Sequence, residues 1–133
     1  ILPYCAEKNM GVIVYSPMQK GLLTGKFTPE RVKNLPPDDH RRSDPQFNEP
    51  LLSINLELVE KLKPIAEKHG RTLAQLAIAW VLRRPEVTAA IVGTRRPSQI
   101  EETFPAGDWE LAAEDIEAIE KLLQEREEKI KNL

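Results

Sequence analysis

Apolar positions along this chain change their spacing several times, and each change marks an element. Val12-Ile13-Val14-Tyr15 is an unbroken run of β-branched and aromatic residues. Such a run is strand-length and apolar on both sides, the pattern of a parallel strand covered on both faces. Ser16-Pro17 ends it, because the residue before a proline is pushed out of the helical region and the proline has no N–H to donate. Ahead of the strand, Ile1 to Asn9 reads as the end of a helix, with Gly11 as its left-handed cap candidate. A second run, Thr88 to Val92, stops at Gly93-Thr94 and gives a second strand.

Helical spacing takes over between and after these runs. Leu58, Val59, Leu62, Ile65 and Ala66 share one helix face, with His69 in the last turn and Gly70 as the stop. Pro64 lies inside that pattern and predicts a kink or two shorter helices. Thr72 followed by Gln75 is a capping-box signature. The helix it opens, Leu73 to Leu82, is apolar nearly all round, Trp80 included, and must be buried by other elements. Arg83 and Arg84 complement its C-terminal dipole and Pro85 stops it. Pro97 suits the first position of another helix, Ser98 to Phe104. Ile116, Ile119, Leu122 and Leu123 line a last helix behind Glu114 and Asp115. The charged stretch Gln124 to Leu133 (residues 124–133) is expected to fray. Residues 27–50 have no period and carry Pro29, Pro36, Pro37, Pro45 and Pro50. A loop of that length is usually either functional or disordered.

Strand, loop, helix, strand, loop, helix describes βα units of a parallel sheet. A closed barrel of this kind has eight strands and typically ~250 residues. The 133 residues here allow one domain and supply two strands. The expected fold class is therefore α/β, the C-terminal part of a (β/α)8 barrel that is incomplete as a single chain. A first residue of Ile1 rather than Met gives the same expectation, a piece of a longer chain.

Composition removes several functions. The 19 basic and 21 acidic residues nearly cancel, to a net charge of −2, where a nucleic-acid binder would show a basic excess or stripe. A hydrophobic share of 41% fits a globular core rather than a disordered chain. The most apolar stretch, Leu73 to Leu82, is too short to span a bilayer, and no signal peptide is visible. The single cysteine, Cys5, has no partner for a disulfide and reads as a small apolar residue in a reducing, cytoplasmic protein. No metal site is expected.

Barrel enzymes work at the C-terminal ends of their strands, so the two loops there hold the candidate chemistry. After the first strand, Ser16 to Lys26 offers hydroxyls, two glycines and two lysines. It can wrap an anionic ligand; a glycine-bearing turn with exposed lysines is the alternative. After the second, a strand ends on Gly93-Thr94 and a helix opens at Pro97. Free N–H groups and the positive end of the helix dipole attract phosphate there. Arg95 and Arg96 add charge-assisted donors on the same rim.

Taken together, "YSPMQKGLLTGKF", "HGRTLAQLAIAWVLRRPEV", "AIVGTRRPSQIEET" and "DWEL", in that order, resemble the aldo-keto reductase family from Ile1 to about Leu123. The resemblance implies the last two βα units and C-terminal helix of a (β/α)8 barrel that binds NADP(H). It also implies an NADP(H)-dependent oxidoreductase that reduces aldehydes or ketones to alcohols. Ser16, Pro17, Met18, Gly21 and Leu22 correspond to the loop that straps the pyrophosphate, with Met18 where leucine is usual. Thr94, Arg95 and Gln99 correspond to the site for the adenosine 2′-phosphate, and Glu102 to the residue that meets the adenine amino group. Thr103 stands where asparagine is common, and Gly93 fits the branch in which glycine ends the strand.

The family's Asp, Tyr, Lys and His catalytic set has no counterpart here, so no catalytic residue is assigned. Tyr4 and Tyr15 read as packing residues, and His40 and His69 as loop and cap residues. By the same resemblance Asp38, Asp39, Arg41 and Arg42 lie in the family's variable loop over the cofactor or substrate, where a solvated loop is the preferred reading and a contact the alternative. The implied partners are a carbonyl substrate and the missing N-terminal barrel half, or a second copy of the chain. Two alternatives remain: a barrel that holds NADP(H) as a regulatory subunit with little turnover, and a truncated piece with no separate function.

Overall fold

A computed structural model describes all of residues 1–133. The first strand, β1 (Val12–Tyr15), lies parallel to β2 (Val87–Ile91), each the only neighbour of the other. Val12 faces Val87, but Ile13 already faces Ala89, so the register slips at Thr88. At the slip the Val12 N–H donates to the Thr88 hydroxyl at 3.2 Å. Gly11 permits this approach, since a Cβ there would lie 3.1 Å from that same oxygen. Gly11 is therefore not the left-handed cap of the first helix, α1 (Leu2–Glu7); Asn9, with φ of 52°, takes that conformation. The second strand begins and ends one residue earlier than its apolar run suggests.

The crossover between the strands is made by α3 (Leu51–Glu67) and α4 (Leu73–Leu82). Pro64 does not split α3 into two shorter helices, one of the two outcomes its position predicts. A proline frees only the carbonyl one turn back; both Pro64 and Glu60 are exposed, so water can satisfy that group. Gly70 stops the helix at φ of 62°, with Gly70 N–H bonded to Glu67 and Arg71 N–H to Ala66, a glycine-centred reversal. Thr72 and Gln75 then form the expected reciprocal cap of α4. Residues Leu73 to Ala79 are all buried. Trp80 is only half-buried, and the Arg83 guanidinium lies 3.3 Å from its ring centre.

Leu58, Val59, Leu62, Ala66, Leu73, Leu76 and Ile119 form the larger core, joining α3 and α4 to α6 (Ala113–Lys131). The charged end of α6, expected to fray, continues as helix to Lys131. Arg126 donates to the side-chain oxygens of Asn55 (2.8 Å) and Gln46 (2.9 Å), and Lys61 pairs with Glu125 at 2.8 Å. These partners lie more than fifty residues away in sequence, which a local charge pattern cannot disclose. Residues 27–50 are likewise more ordered than an irregular loop. They contain α2 (Pro29–Lys33) and tight turns at His40–Ser43 and Pro45–Phe47. A second small core of Leu22, Phe27, Leu35, Phe47 and Leu52 holds them.

The junction of α3 and α6 is polar. Asp115, 2% exposed, accepts from Lys68 and from His69 Nε2 at 2.7 Å. Burial alone would raise the pKa of this carboxyl. The Lys68 and His69 hydrogen bonds outweigh that and hold it below the ordinary value. A depressed folded-state pKa stabilises the fold above the unfolded value of about 3.9, and that stabilisation is lost as pH falls through the folded value. The stability gap between the native chain and Asp115→Asn should therefore narrow from pH 6 to pH 3, as followed by thermal unfolding. A gap unchanged over that range would show that the ionised carboxylate is not what holds the two helices.

Strand faces expected to be covered on both sides are open in this chain. Ile13 is 63% exposed, Tyr15 82% and Ile91 59%; outside the strands, Phe104 and Tyr4 also lie exposed rather than packed. An apolar surface of this kind marks an interface or an aggregation liability. The isolated chain is expected to self-associate at micromolar concentration, measured by sedimentation velocity. A compact monomer that unfolds cooperatively would contradict this. No helix is long and apolar enough to cross a membrane.

Candidate functional site

A cleft of about 330 Å³ opens at the C-terminal ends of β1 and β2, between the loops that follow them. On one side is the strap that leaves β1. Its backbone enters the left-handed region at Ser16 (φ 52°), Gln19 (47°), Lys20 (55°) and Gly21 (95°). Glycine adopts such angles freely; other residues do so at a cost and only when their surroundings impose it. Met18 O accepts from the N–H groups of Gly21 (3.0 Å) and Leu23 (3.2 Å), and the Thr24 hydroxyl donates to Gly21 O at 2.7 Å. Ser16, Pro17, Met18 and Gly21 line the cleft. Leu22 does not: its side chain is 3% exposed, inside the smaller core, and it anchors the strap from behind.

Across the cleft are Gly93, Arg95 and Gln99, held by β2 and by α5 (Pro97–Thr103). Gln99 Oε1 accepts from the N–H groups of Arg95 (2.8 Å) and Arg96 (3.1 Å). This fixes the turn between strand and helix and leaves the Gln99 amide NH2 free. The Arg95 guanidinium has no partner of its own in the chain, whereas Arg96 lies outside the cleft lining. Thr94 and Thr103 also fall outside it. They border a separate, more apolar opening with Ile78, Val92 and Phe104, and the Thr103 hydroxyl is spent on Gln99 O at 2.7 Å. Glu102 sits at the edge. Its carbonyl accepts from Gln75 Nε2 at 2.7 Å and its carboxylate lies 4.0 Å from Lys26 Nζ.

Lys20, Lys26, Arg31 and Arg41 complete the wall. Arg41, in a loop whose sequence favours solvation over a contact, has a side chain only 17% exposed. Arg41 grips Asp39, with Nε to Oδ1 at 2.9 Å, and that hydrogen bonding holds the Asp39 carboxyl far below its ordinary range. Arg31 and Arg41 both lie over the Phe27 ring, at 4.8 and 5.1 Å. Arg42, beside Arg41, turns away to the Leu35 carbonyl at 2.9 Å. The signal for these residues was the recurrence of cations from Lys20 to Arg42; which of them face inward depends on Phe27 and Phe47 folding the segment back.

Every titratable side chain in the cleft lining is thus a lysine or an arginine. Such a wall has the charge that suits an anionic ligand. His69 is engaged with Asp115, outside this lining, and Cys5 sits half-buried on α1.

The sequence matches the aldo/keto reductase family over residues 1–124. It is 34% identical over 127 residues to the aldo-keto reductase str7 of Strobilurus tenacellus, a match that covers 96% of this chain and 37% of that protein. The aldo-keto reductase yakc of Schizosaccharomyces pombe, whose name includes NADP(+), is 34% identical over 106 residues, or 80% of this chain and 31% of that protein. Among solved structures, a glycerol dehydrogenase of Gluconobacter oxydans superposes with a TM-score of 0.85 at 33% identity, covering 95% of this chain and 38% of the other. This chain spans roughly a third of the length of the relatives it matches, and its two βα units are part of a (β/α)8 barrel.

Proposed function

This chain belongs to the aldo/keto reductase family of oxidoreductases, and we propose that its two loops hold NADP(H) for the reduction of aldehydes or ketones to alcohols. The observation that carries the proposal is the single cationic cleft in which the Ser16–Gly21 strap faces Gly93, Arg95 and Gln99. NADP(H) carries two anionic groups, the pyrophosphate and the 2′-phosphate, and the cleft has donors on both sides. Arg95 takes the 2′-phosphate, with the free Gln99 amide beside it. The strap takes the pyrophosphate on its own backbone and Ser16, while Lys20 and Arg41 are held beside it by Asp44 and Asp39. Thr94 and Thr103 border the neighbouring opening rather than the cleft, and Glu102, whose carboxylate lies 4.0 Å from Lys26 Nζ of the cleft wall, is the residue proposed to meet the adenine. Leu22 acts by anchoring the strap. The name of the fission-yeast relative supports the choice of cofactor.

When bound, the cofactor supplies the hydride; the residues of this chain bind and orient it. Calorimetric titration tests the proposal. NADPH is expected to bind saturably at one site, and an absence of binding heat across several temperatures would overturn it. The same reading predicts no carbonyl reduction above background by the 133 residues alone. The cleft lining has no tyrosine to protonate a carbonyl, and such general acid catalysis typically contributes 10²–10⁴-fold. A steady-state assay with NADPH and reactive aldehydes measures this; clear turnover by the pure chain would show that it holds an unrecognised acid.

A further inference from the structure

We propose that Asp44 is a positioning residue of the cofactor cleft, which braces the strap through Lys20. The proposal rests on the dinucleotide reading for its ligand, and on the following geometry for its mechanism.

Between Ser16 and Lys20, three non-glycine residues hold a left-handed backbone, and Gly21 continues it. That shape is unfavourable for L-residues and persists only where neighbours impose it. Hydrogen bonds within the strap account for its turns but not for its attachment. From behind, Leu22 ties it to the small core. From the side, the attachment converges on one residue. Lys20 Nζ donates to Asp44 Oδ2 at 2.6 Å, and the Lys20 carbonyl accepts from the Arg41 guanidinium at 3.3 Å.

The far end of this brace is itself rigid. Asp44 Oδ1 accepts from the Gln46 N–H at 2.9 Å and its carbonyl accepts from Asn48 Nδ2 at 2.8 Å. Arg41 is locked to Asp39. Phe47, three residues beyond Asp44, is fully buried. Asp44 is only 12% exposed as a side chain, so its tie to Lys20 is partly shielded from the screening that weakens surface ion pairs. The Lys20 ammonium holds the Asp44 carboxyl below the ordinary carboxylate range. The 27–50 segment therefore does more than cover the cleft: it sets the shape of the strap and hence how long a bound pyrophosphate stays.

The test uses the full chain with Asp44→Asn, Lys20→Met and the double variant. Asparagine keeps the cap on the Gln46 N–H, so Asp44→Asn removes the charge tie without removing the turn. Two readouts are needed: amide hydrogen exchange at Gly21, Leu23 and along α3, and titration with NADPH and NADH. Each single variant should speed exchange at Gly21 and Leu23 by about tenfold while α3 is unchanged. The double variant should be no faster than either single one. NADPH and NADH should weaken by the same factor, because the pyrophosphate is common to both. Unchanged strap exchange, or effects that add in the double variant, would overturn the proposal. A loss confined to NADPH would also overturn it, by placing Asp44's influence at the 2′-phosphate. Faster strap exchange in the variants, together with a wild-type chain that binds neither nucleotide, would sink the dinucleotide reading and leave the brace standing.

Discussion

Arg95→Ala is expected to weaken NADPH binding by about tenfold to a hundredfold while NADH affinity barely moves. Arg95 lines the cleft and its guanidinium has no partner in the chain, so a 2′-phosphate would meet it without displacing an internal contact. A hydrogen bond to a charged group contributes ~1.5–3 kcal/mol, which is the stated factor in affinity. NADH has no 2′-phosphate and loses nothing. Arg96→Ala should cost much less, because Arg96 stands outside the lining. Lysine at position 95 should recover only part of the preference, since an ammonium cannot present the paired N–H groups of a guanidinium. Fluorescence titration of both nucleotides against the three variants measures these effects. Equal losses for the two nucleotides in Arg95→Ala, or a larger NADPH loss in Arg96→Ala, would place the phosphate elsewhere.

Phe47→Ala should lower the unfolding free energy by about 3–5 kcal/mol, the usual range for deleting a buried aromatic ring. Phe47 is 0% exposed and meets Phe27 edge-on, with ring centres 5.2 Å apart. It also shares its cluster with Leu22, Leu35 and Leu52. The loss therefore reaches the strap as well as the 27–50 segment, because Leu22 would border the resulting void. Phe47→Leu should cost markedly less, since it refills most of the volume. Urea unfolding measures both. A loss under about 1 kcal/mol for Phe47→Ala would mean that the segment is not part of the cooperative core.

Local patterns disclosed the elements that local chemistry determines. The Thr72–Gln75 cap, the mostly apolar α4 and the Gly70 stop each depend on residues a few positions apart and form where expected, although α4 is fully buried only over Leu73–Ala79 and leaves Trp80 half-buried. The two strands and their parallel sense followed from short β-branched runs separated by helices. What escaped depends on contacts between distant parts of the chain. The end of α6 looked like a frayed charged tail because its partners, Asn55, Gln46 and Lys61, lie far back in sequence. The 27–50 segment looked irregular because Phe27, Leu35 and Phe47 show no period, although they meet in space.

The candidate site divides the same way. Ser16, Pro17, Met18, Gly21, Gly93, Arg95 and Gln99 come together as the loop motifs implied, whereas Leu22, Thr94, Glu102 and Thr103 do not line the cleft. The second group departs for definite reasons. Leu22 was counted with the strap, but its side chain is needed in the core. Thr103 lies one helical turn beyond Gln99 and bonds back to it. For Arg41 the sequence favours a solvated loop over a contact, because its inward direction is set by Asp39 and Phe27 and not by its position between two charged neighbours.

The central claim is that the two loops form one cleft that reads a 2′-phosphate. It is tested most directly by comparing adenosine 2′,5′-bisphosphate with adenosine 5′-monophosphate, followed by amide shifts of the isotope-labelled chain. The account predicts at least tenfold tighter binding of the bisphosphate, with the largest shifts at Arg95, Arg96 and Gln99. Equal affinity for the two ligands, or shifts that bypass the Gly93–Gln99 turn, would contradict it.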